Sequence, residues 1–273
     1  MNPLMANLRK NDKKGIFEKT QTMPSYPTGF YNLDHYNGYF LDSFDQDDNI
    51  VQTTPMTGIV GGSFVTIIGK SGVAKTTAAI QMATNIVKPF ESGMTQHFDL
   101  EQATTYTRIK NVTQMSIREL EQKYILKQEK STIEEIFDAC EAIWKEKTVN
   151  NRKMYEYETG ILNEFNEPIT ALVPTIVILD SIPTITTNDV GEGMEGGTYA
   201  NRVAKAIAQF YKRMTPIIKE ANIILIAINH INQKIEINPR LKTQPQLLYL
   251  KMDESIPGGQ WPPLAVKLGK QFF

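Results

Sequence analysis

The chain has 273 residues, of which 41% are hydrophobic and 22% charged, and these globular proportions exclude a disordered, collagen-like or coiled-coil protein. Lys and Arg (29) nearly balance Asp and Glu (30), so any binding to nucleic acid must come from a local basic patch. One cysteine excludes an internal disulfide framework, and the apolar stretches are far shorter than the ~20 residues of a membrane span. These features favour a soluble, cytoplasmic protein that does not bind membranes.

Three polar segments mark the organisation of the chain. Residues 1–25 carry a basic run without an apolar period, so we interpret them as an N-terminal arm, either an oligomerisation segment or a solvated tail. Residues 39–57, with four aspartates, predict a surface insertion, and the polar, aperiodic residues 146–173 predict a second one. Both insertions interrupt one domain that extends from residue 26 to residue 259.

Short apolar runs without polar alternation predict strands that are buried on both faces, at residues 64–68, 96–100, 175–180 and 223–228. Helical patterns lie between them, at residues 75–87 and 203–217, and Ser131 with Glu134 matches a helix capping box. This alternation predicts an α/β fold, a mostly parallel sheet with helices on both faces. Ligands bind such sheets at the carboxyl ends of the strands, where we expect the functional residues.

A predicted phosphate-binding loop follows the first of these strands and matches G-x-x-x-x-G-K-[ST], except that Ala74 replaces the second glycine. Its residues, with the next position of the helix, are Gly69, Lys70, Ser71, Gly72, Val73, Ala74, Lys75, Thr76 and Thr77. Backbone N–H groups would surround phosphate oxygens, Lys75 would reach the β- and γ-phosphates, and Thr76 would ligate Mg²⁺. The methyl group of Ala74 is tolerable at negative φ and strained at positive φ. A structural glycine turn is the alternative, but the flanking strand and helix favour nucleotide binding.

Carboxylates follow two of the predicted strands. Asp180 suits a second-sphere Mg²⁺ ligand, a fixed anion beside the loop, the alternative being a helix N-cap, and Ser181 can hydrogen-bond in the same site. Asp99 and Glu101 end the neighbouring strand, where a carboxylate can orient or deprotonate the water that attacks a phosphoanhydride. Alternation directs only one of the two towards the nucleotide, and the residue pattern alone leaves the choice nearly open, with Glu101 favoured.

The combined motifs resemble the RecA-type ATPase core of strand-exchange recombinases and hexameric DnaB-type helicases. Thr28-Gly29 with Leu33-Asp34 looks like a motif near the start of that core. Phe98–Glu101 resembles the strand that delivers the family's catalytic glutamate, and this resemblance selects Glu101. Ile178–Ser181 resembles the recombinase form of the Walker B strand.

Ile226–His230 resembles the recombinase strand that ends in Asn-Gln, in which the last residue senses the γ-phosphate and reports to a DNA-binding loop. His230 replaces that glutamine, as in phage recombinases of the UvsX kind, and the alternative is a histidine packed at a strand end. By the same resemblance, Tyr106 would stack on adenine, although its spacing from Glu101 differs from the family pattern.

The resemblance implies a RecA-like P-loop NTPase that binds ATP and Mg²⁺, a DNA-dependent ATPase acting in recombination and repair. It also implies a homo-oligomer, a filament or ring on single-stranded DNA, in the cytoplasm of a bacterial host if the gene is a phage gene. Two loops would line the DNA: the glycine-rich, acidic residues 184–201 and the more basic residues 231–257, in which Lys234, Arg240 and Lys242 are candidate DNA contacts. A solvated loop explains the same charges.

The C-terminal residues 260–273 do not fit the family pattern, because the adjacent prolines Pro262 and Pro263 cannot donate to a strand ladder. We therefore expect a tail unrelated to the core, from a reading frame that is truncated or interrupted by an intron. Two alternatives to a recombinase stay open: a DnaB-type helicase motor, and a nucleotide-gated DNA-binding protein with little turnover.

Overall fold

The computed structural model describes residues 22–188, 197–231 and 265–267. Its strands, in chain order, are β1 (Ser25–Tyr26), β2 (Tyr39–Phe44), β3 (Ile50–Met56), β4 (Ile59–Val60), β5 (Phe64–Gly69), β6 (Met94–Asp99), β7 (Tyr124–Lys127), β8 (Glu156–Leu162), β9 (Pro168–Leu172), β10 (Thr175–Asp180), β11 (Ile223–His230) and β12 (Ala265–Lys267). Its helices are α1 (Tyr31–Tyr36), α2 (Lys75–Val87), α3 (Tyr106–Thr113), α4 (Ile117–Lys123), α5 (Ile133–Lys145), α6 (Arg152–Tyr155) and α7 (Gly197–Ala221), with a π-helical turn at Glu146–Asn150 and a 3₁₀ turn at Ile182–Thr184.

The central sheet has the strand order β12-β5-β11-β10-β6-β7, and each neighbouring pair is parallel. Helix α2 connects β5 to β6, although β11 and β10 lie between these two strands. The chain therefore leaves a crevice at the carboxyl ends of the middle strands, which is the usual ligand position in parallel α/β sheets.

Alternate residues of the middle strands pack on opposite faces of the sheet. Ile176 and Ile178 belong to a core that includes residues of α2, α3 and α4, while Val177 and Leu179 belong to a second core with α5 and α7. Burial on both faces explains why these strands are continuous apolar runs in the sequence. The prediction of an α/β fold with a parallel sheet and helices on both faces is confirmed, and the architecture is compatible with a Rossmann-like or P-loop-like fold.

The predicted helix 75–87 has the bounds of α2, and the predicted strands 64–68 and 175–180 correspond to β5 and β10. The capping box before α5 was predicted one residue too early. Thr132 is the N-cap and exchanges hydrogen bonds with Glu135, instead of Ser131 with Glu134.

Each of the two predicted insertions contains a β-hairpin, and the two hairpins pack against each other. Strands β2 and β3 pair antiparallel within residues 39–57, and β8 and β9 pair antiparallel within residues 146–173. Leu41 and Met56 from the first hairpin form a small core with Ile169 from the second, and the Ser43 hydroxyl donates to the Leu162 carbonyl. The two insertions thus form one accessory module beside the main sheet.

The Thr-Gly and Leu-Asp pairs near the start of the domain form a hydrogen-bonded turn that is anchored to α2. The Asp34 carboxylate accepts bonds from the Thr28 backbone N–H (2.8 Å), the Thr28 hydroxyl (2.6 Å) and the Gly29 N–H (3.0 Å). The Asn85 amide on α2 donates to the Thr28 carbonyl at 2.8 Å. Gly29 has φ +82°, and a Cβ there would meet the Asn85 side chain at 2.1 Å, so the turn requires glycine.

Of the C-terminal residues 260–273, the structure describes one short strand. Strand β12 begins after the proline pair and joins the outer side of β5 in parallel register, with Val266 opposite Ile67. The rest of the tail and the arm residues 1–21 lie outside the described residues. Within residues 22–188 and 197–231, no helix is long and apolar enough to cross a membrane.

Candidate functional site

The carboxyl ends of four neighbouring strands meet at one edge of the sheet. In the strand register, Asp180 of β10 lies opposite Asp99 of β6, and His230 of β11 lies opposite Gly69 of β5. The Ile231 N–H also donates to the Gly69 carbonyl at 3.2 Å, which holds the end of β11 against the start of the glycine-containing loop. The sheet therefore brings together segments that are far apart in sequence.

The predicted phosphate-binding loop is exposed from Lys70 to Ala74, whereas Lys75 at the start of α2 is buried. Gly72 has φ +80° and a Cβ there would meet nothing within 4 Å. Ala74 has φ +60° and ψ +27°, so its backbone is in the left-handed region, where the methyl group of alanine is strained. A left-handed conformation costs a residue with a Cβ about 1–2 kcal/mol, and the loop geometry must hold it in place.

The Lys75 ammonium is held by the backbone of its own loop and by His230. Its Nζ donates to the carbonyls of Gly69 (3.0 Å) and Lys70 (2.8 Å) and lies 3.2 Å from His230 Nδ1. Because an ammonium can only donate, His230 Nδ1 accepts this bond, and its Nε2–H donates to Glu101 Oε1 at 2.8 Å. His230 therefore bridges the lysine and the glutamate. Burial lowers the pKa of Lys75, against the opposing charges of Glu101 and Asp180.

Glu101 lies just beyond the end of β6 and is partly open to solvent. Burial would raise the pKa of its carboxyl group, but hydrogen bonds from the Ser181 hydroxyl and from His230, together with the positive charge of Lys75, outweigh burial and lower that pKa. Glu101 is consequently a carboxylate that keeps its charge and can accept a proton or a hydrogen bond from water. Ser181, which the sequence suggested as a member of this site, contributes through this contact.

Asp99 has a different task from Glu101. Its carboxylate is fully buried and accepts hydrogen bonds from the N–H groups of Ala103 (3.3 Å) and Thr104 (2.8 Å) and from the Gln128 amide (2.9 Å). These bonds fix the segment that follows β6, so the carboxylate of Asp99 has a structural role and is not free to contact a nucleotide.

The Thr76 hydroxyl donates to Asp180 Oδ2 at 2.6 Å, so the two candidate Mg²⁺ ligands lie side by side. Burial raises the pKa of Asp180, although the Thr76 hydrogen bond opposes the rise, and a bound cation would favour the charged carboxylate. A hydroxyl and a carboxylate beside a phosphate-binding loop fit Mg²⁺, which takes few protein ligands together with phosphate oxygens and water. Among the described residues there is no cluster of three or more His, Cys, Asp or Glu side chains that could hold a metal without phosphate.

Tyr106 begins α3 and is 49% exposed. Two residues later, Arg108 Nη2 donates to the Thr77 hydroxyl at 2.8 Å, which ties α3 to α2 directly after the loop. Arg108 could not be predicted from the sequence, because a lone arginine on a short polar helix gives no signal of a partner 31 positions away.

The candidate DNA contacts Lys234, Arg240 and Lys242 lie outside the described residues, as do residues 189–196 of the first predicted loop. The structure thus brings together the predicted nucleotide-site residues Lys75, Thr76, Glu101, Asp180 and His230.

No protein-family model matches the chain, and no curated protein matches it at a significant level of sequence similarity.

Proposed function

We propose that the protein is an ATP-dependent DNA recombinase of the RecA type, similar to the phage UvsX proteins, that hydrolyses ATP on single-stranded DNA. The observation that carries the proposal is the hydrogen-bonded connection from Lys75 through His230 to Glu101, beside the Thr76–Asp180 pair. A structural glycine turn does not require a lysine, a histidine and two carboxylates from four strand ends to meet.

Each residue has a role in the proposed hydrolysis. The loop N–H groups and Lys75 would bind the phosphates, and Thr76 with Asp180 would hold Mg²⁺, which supplies positive charge to the phosphoryl oxygens when bound. The Glu101 carboxylate, kept ionised by its hydrogen-bond donors, would orient the attacking water and accept its proton. Ordered donors at the site lower the cost of reorganisation during the reaction.

His230 supports a recombinase over a simple ATPase. It ends β11 and contacts both Lys75 and Glu101, and the chain continues from it into residues 231–257, the predicted DNA-binding loop. A change at the γ-phosphate that moved Lys75 or Glu101 would therefore act directly on the residue next to that loop. We propose that ATP and DNA binding are coupled through this residue, in a homo-oligomer on single-stranded DNA.

The test is ATP hydrolysis with and without single-stranded DNA. Lys75→Ala is expected to abolish hydrolysis, whereas Lys88→Ala, an exposed lysine just after the same helix, is the matched control and should keep the wild-type rate. An unchanged rate in Lys75→Ala would refute the site. A wild-type rate that DNA does not stimulate would favour a nucleotide-gated binding protein.

Electron micrographs of the protein on single-stranded DNA, with a slowly hydrolysed ATP analogue, separate the two enzyme classes. The proposal predicts open helical filaments. Closed rings that unwind forked DNA would instead support a DnaB-type helicase motor.

A further inference from the structure

His97 is a buried histidine next to the proposed site that the roles above do not use. It lies in the middle of β6, has no exposed surface, and its Nδ1 is 2.8 Å from the Tyr124 hydroxyl on β7. Its Nε2 has no hydrogen-bond partner and lies 4.0 Å from Asp180 Oδ2 on the adjacent strand β10. A buried polar atom without a partner is uncommon, and this one lies beside the candidate metal ligand.

The surroundings determine which nitrogen of His97 carries the proton. Burial, with the nearby carboxylates of Asp99 and Asp180, raises the pKa of Tyr124, so its hydroxyl keeps a proton that it can donate to Nδ1. The proton of a neutral ring then resides on Nε2, which faces Asp180. The opposite tautomer would turn an Nε2 lone pair towards a buried carboxylate, which is repulsive. A doubly protonated ring would also carry Nε2–H, so the orientation does not depend on the charge of the histidine.

We infer that His97 is a positioning residue for the Asp180 carboxylate, presenting its Nε2–H to Oδ2 while Tyr124 holds the ring from the other side. The inference rests on the proposed function, because Asp180 matters as a ligand only if Mg²⁺ and nucleotide bind. The 4.0 Å separation is longer than a hydrogen bond, so the present contact is electrostatic.

A second donor would add to the Thr76 contact. The Thr76 hydroxyl can bind Mg²⁺ through an oxygen lone pair and still donate to Asp180 Oδ2, but this single bond leaves the rotation of the carboxylate about it unconstrained. Carboxylates that ligate metals are usually held by outer hydrogen bonds, whose loss weakens metal affinity or activity about 10–100-fold. His97, on the neighbouring strand of a rigid sheet, is placed to supply such a bond.

The first experiment determines the tautomer in the free wild-type protein by long-range ¹H–¹⁵N correlation spectra of ¹⁵N-histidine-labelled chain. His97→Gln and His35→Gln identify the signals of two of the three histidines. A proton on Nε2 is expected, and a proton on Nδ1 alone would overturn the inference. This measurement requires neither nucleotide nor metal.

The second experiment measures ADP affinity with Mg²⁺ and in EDTA. His97→Leu should weaken Mg²⁺-dependent binding about tenfold and leave binding in EDTA unchanged, while His97→Gln, which keeps an N–H at the same place, should stay within about twofold of wild type. Tyr124→Phe provides a second variant if His97→Leu does not fold, and a smaller loss with the same Mg²⁺ dependence is expected. Equal losses with and without Mg²⁺, or none, would overturn the inference. Failure of the wild type to bind ADP would refute the proposed function and not the inference about His97. In that case the NMR measurement of the tautomer would still show whether Nε2–H of His97 faces Asp180.

Discussion

Lys147 is a buried lysine at the opposite end of the sheet from the proposed site, and replacing it by methionine tests the packing of this region. In its charged form, Lys147 donates from Nζ to the Val173 carbonyl (2.6 Å), to the Thr175 hydroxyl (3.2 Å) and to the Ala221 carbonyl. These contacts join the turn after α5 to the beginning of β10 and to the last residue of α7. Methionine is one atom shorter than lysine and has neither its N–H donors nor its titratable amine.

The magnitude follows from proton linkage. Burial lowers the pKa of Lys147 to about 7, whereas a lysine in the unfolded chain has a pKa of about 10.4. Between these values the unfolded state holds the additional proton, so the free energy of unfolding rises with pH by about 1.4 kcal/mol per unit. From pH 8 to pH 9.5 this contribution is about 2 kcal/mol, and Lys147→Met lacks it.

The assay is urea unfolding of the wild type and of Lys147→Met at pH 8 and pH 9.5. We expect the stability difference, wild type minus variant, to increase by about 2 kcal/mol at the higher pH. Lys145→Met removes an exposed lysine two positions earlier and should change stability at pH 8 by no more than about 0.5 kcal/mol. A difference between wild type and Lys147→Met that stays constant with pH would refute the reasoning.

Three further substitutions test the loop and its supports. Ala74→Gly should raise the free energy of unfolding by about 0.5–1 kcal/mol in thermal melts, because glycine adopts the left-handed conformation without strain. Ala78→Gly, inside α2, is the control and should lower the free energy of unfolding by about 1 kcal/mol. A loss of stability in both variants would contradict the strain at Ala74. Asp34→Ala leaves three donors of the Thr28–Gly29 turn without their acceptor and should cost about 2–4 kcal/mol by urea unfolding, and a loss below about 0.5 kcal/mol would show that the turn is dispensable. Arg108→Ala should weaken ADP binding several-fold in calorimetry, while the free energy of unfolding falls by less than about 1 kcal/mol. An unchanged ADP affinity would show that α3 does not support the nucleotide site.

The core strands could be predicted because burial on both faces of a parallel sheet requires continuous apolar residues. The run from Thr175 to Leu179 has that composition, and the structure buries all of it. The same principle does not identify hairpins such as β8, whose residues alternate between exposed and half-buried and include no continuous apolar run. Residues 146–173 therefore look aperiodic in the sequence, although they contain an ordered hairpin.

The sequence also does not identify the correct residue where two neighbouring residues fit the same motif spacing. Ser131 and Thr132 are adjacent, as are Glu134 and Glu135, so either pair fits a capping box and only backbone geometry selects the second. Asp99 and Glu101 both follow the same strand, so the local sequence does not show which of them faces the nucleotide. The donors that occupy the Asp99 carboxylate come from residues up to 29 positions away, which no local pattern reveals.

Buried polar residues that depend on distant partners could not be predicted. Lys147 lies in a polar stretch and gives the same signal as a surface lysine, and its three acceptors are 26 to 74 positions distant. His97 resembles an ordinary residue of an apolar strand until Asp180 is placed on the neighbouring strand. In both cases the partner is supplied by the sheet topology.

Hydrolysis by Glu101→Gln tests the assignment of the catalytic carboxylate most directly. The substitution keeps the size of the side chain and an oxygen that can accept from Ser181 and His230, but it removes the base. Calorimetry should give a Kd for Mg²⁺-ATP within about threefold of wild type, and DNA-stimulated turnover should fall about 100-fold or more. Glu91→Gln, on the loop after α2, should match the wild type in both measurements. Tight ATP binding with undiminished turnover in Glu101→Gln would contradict the account.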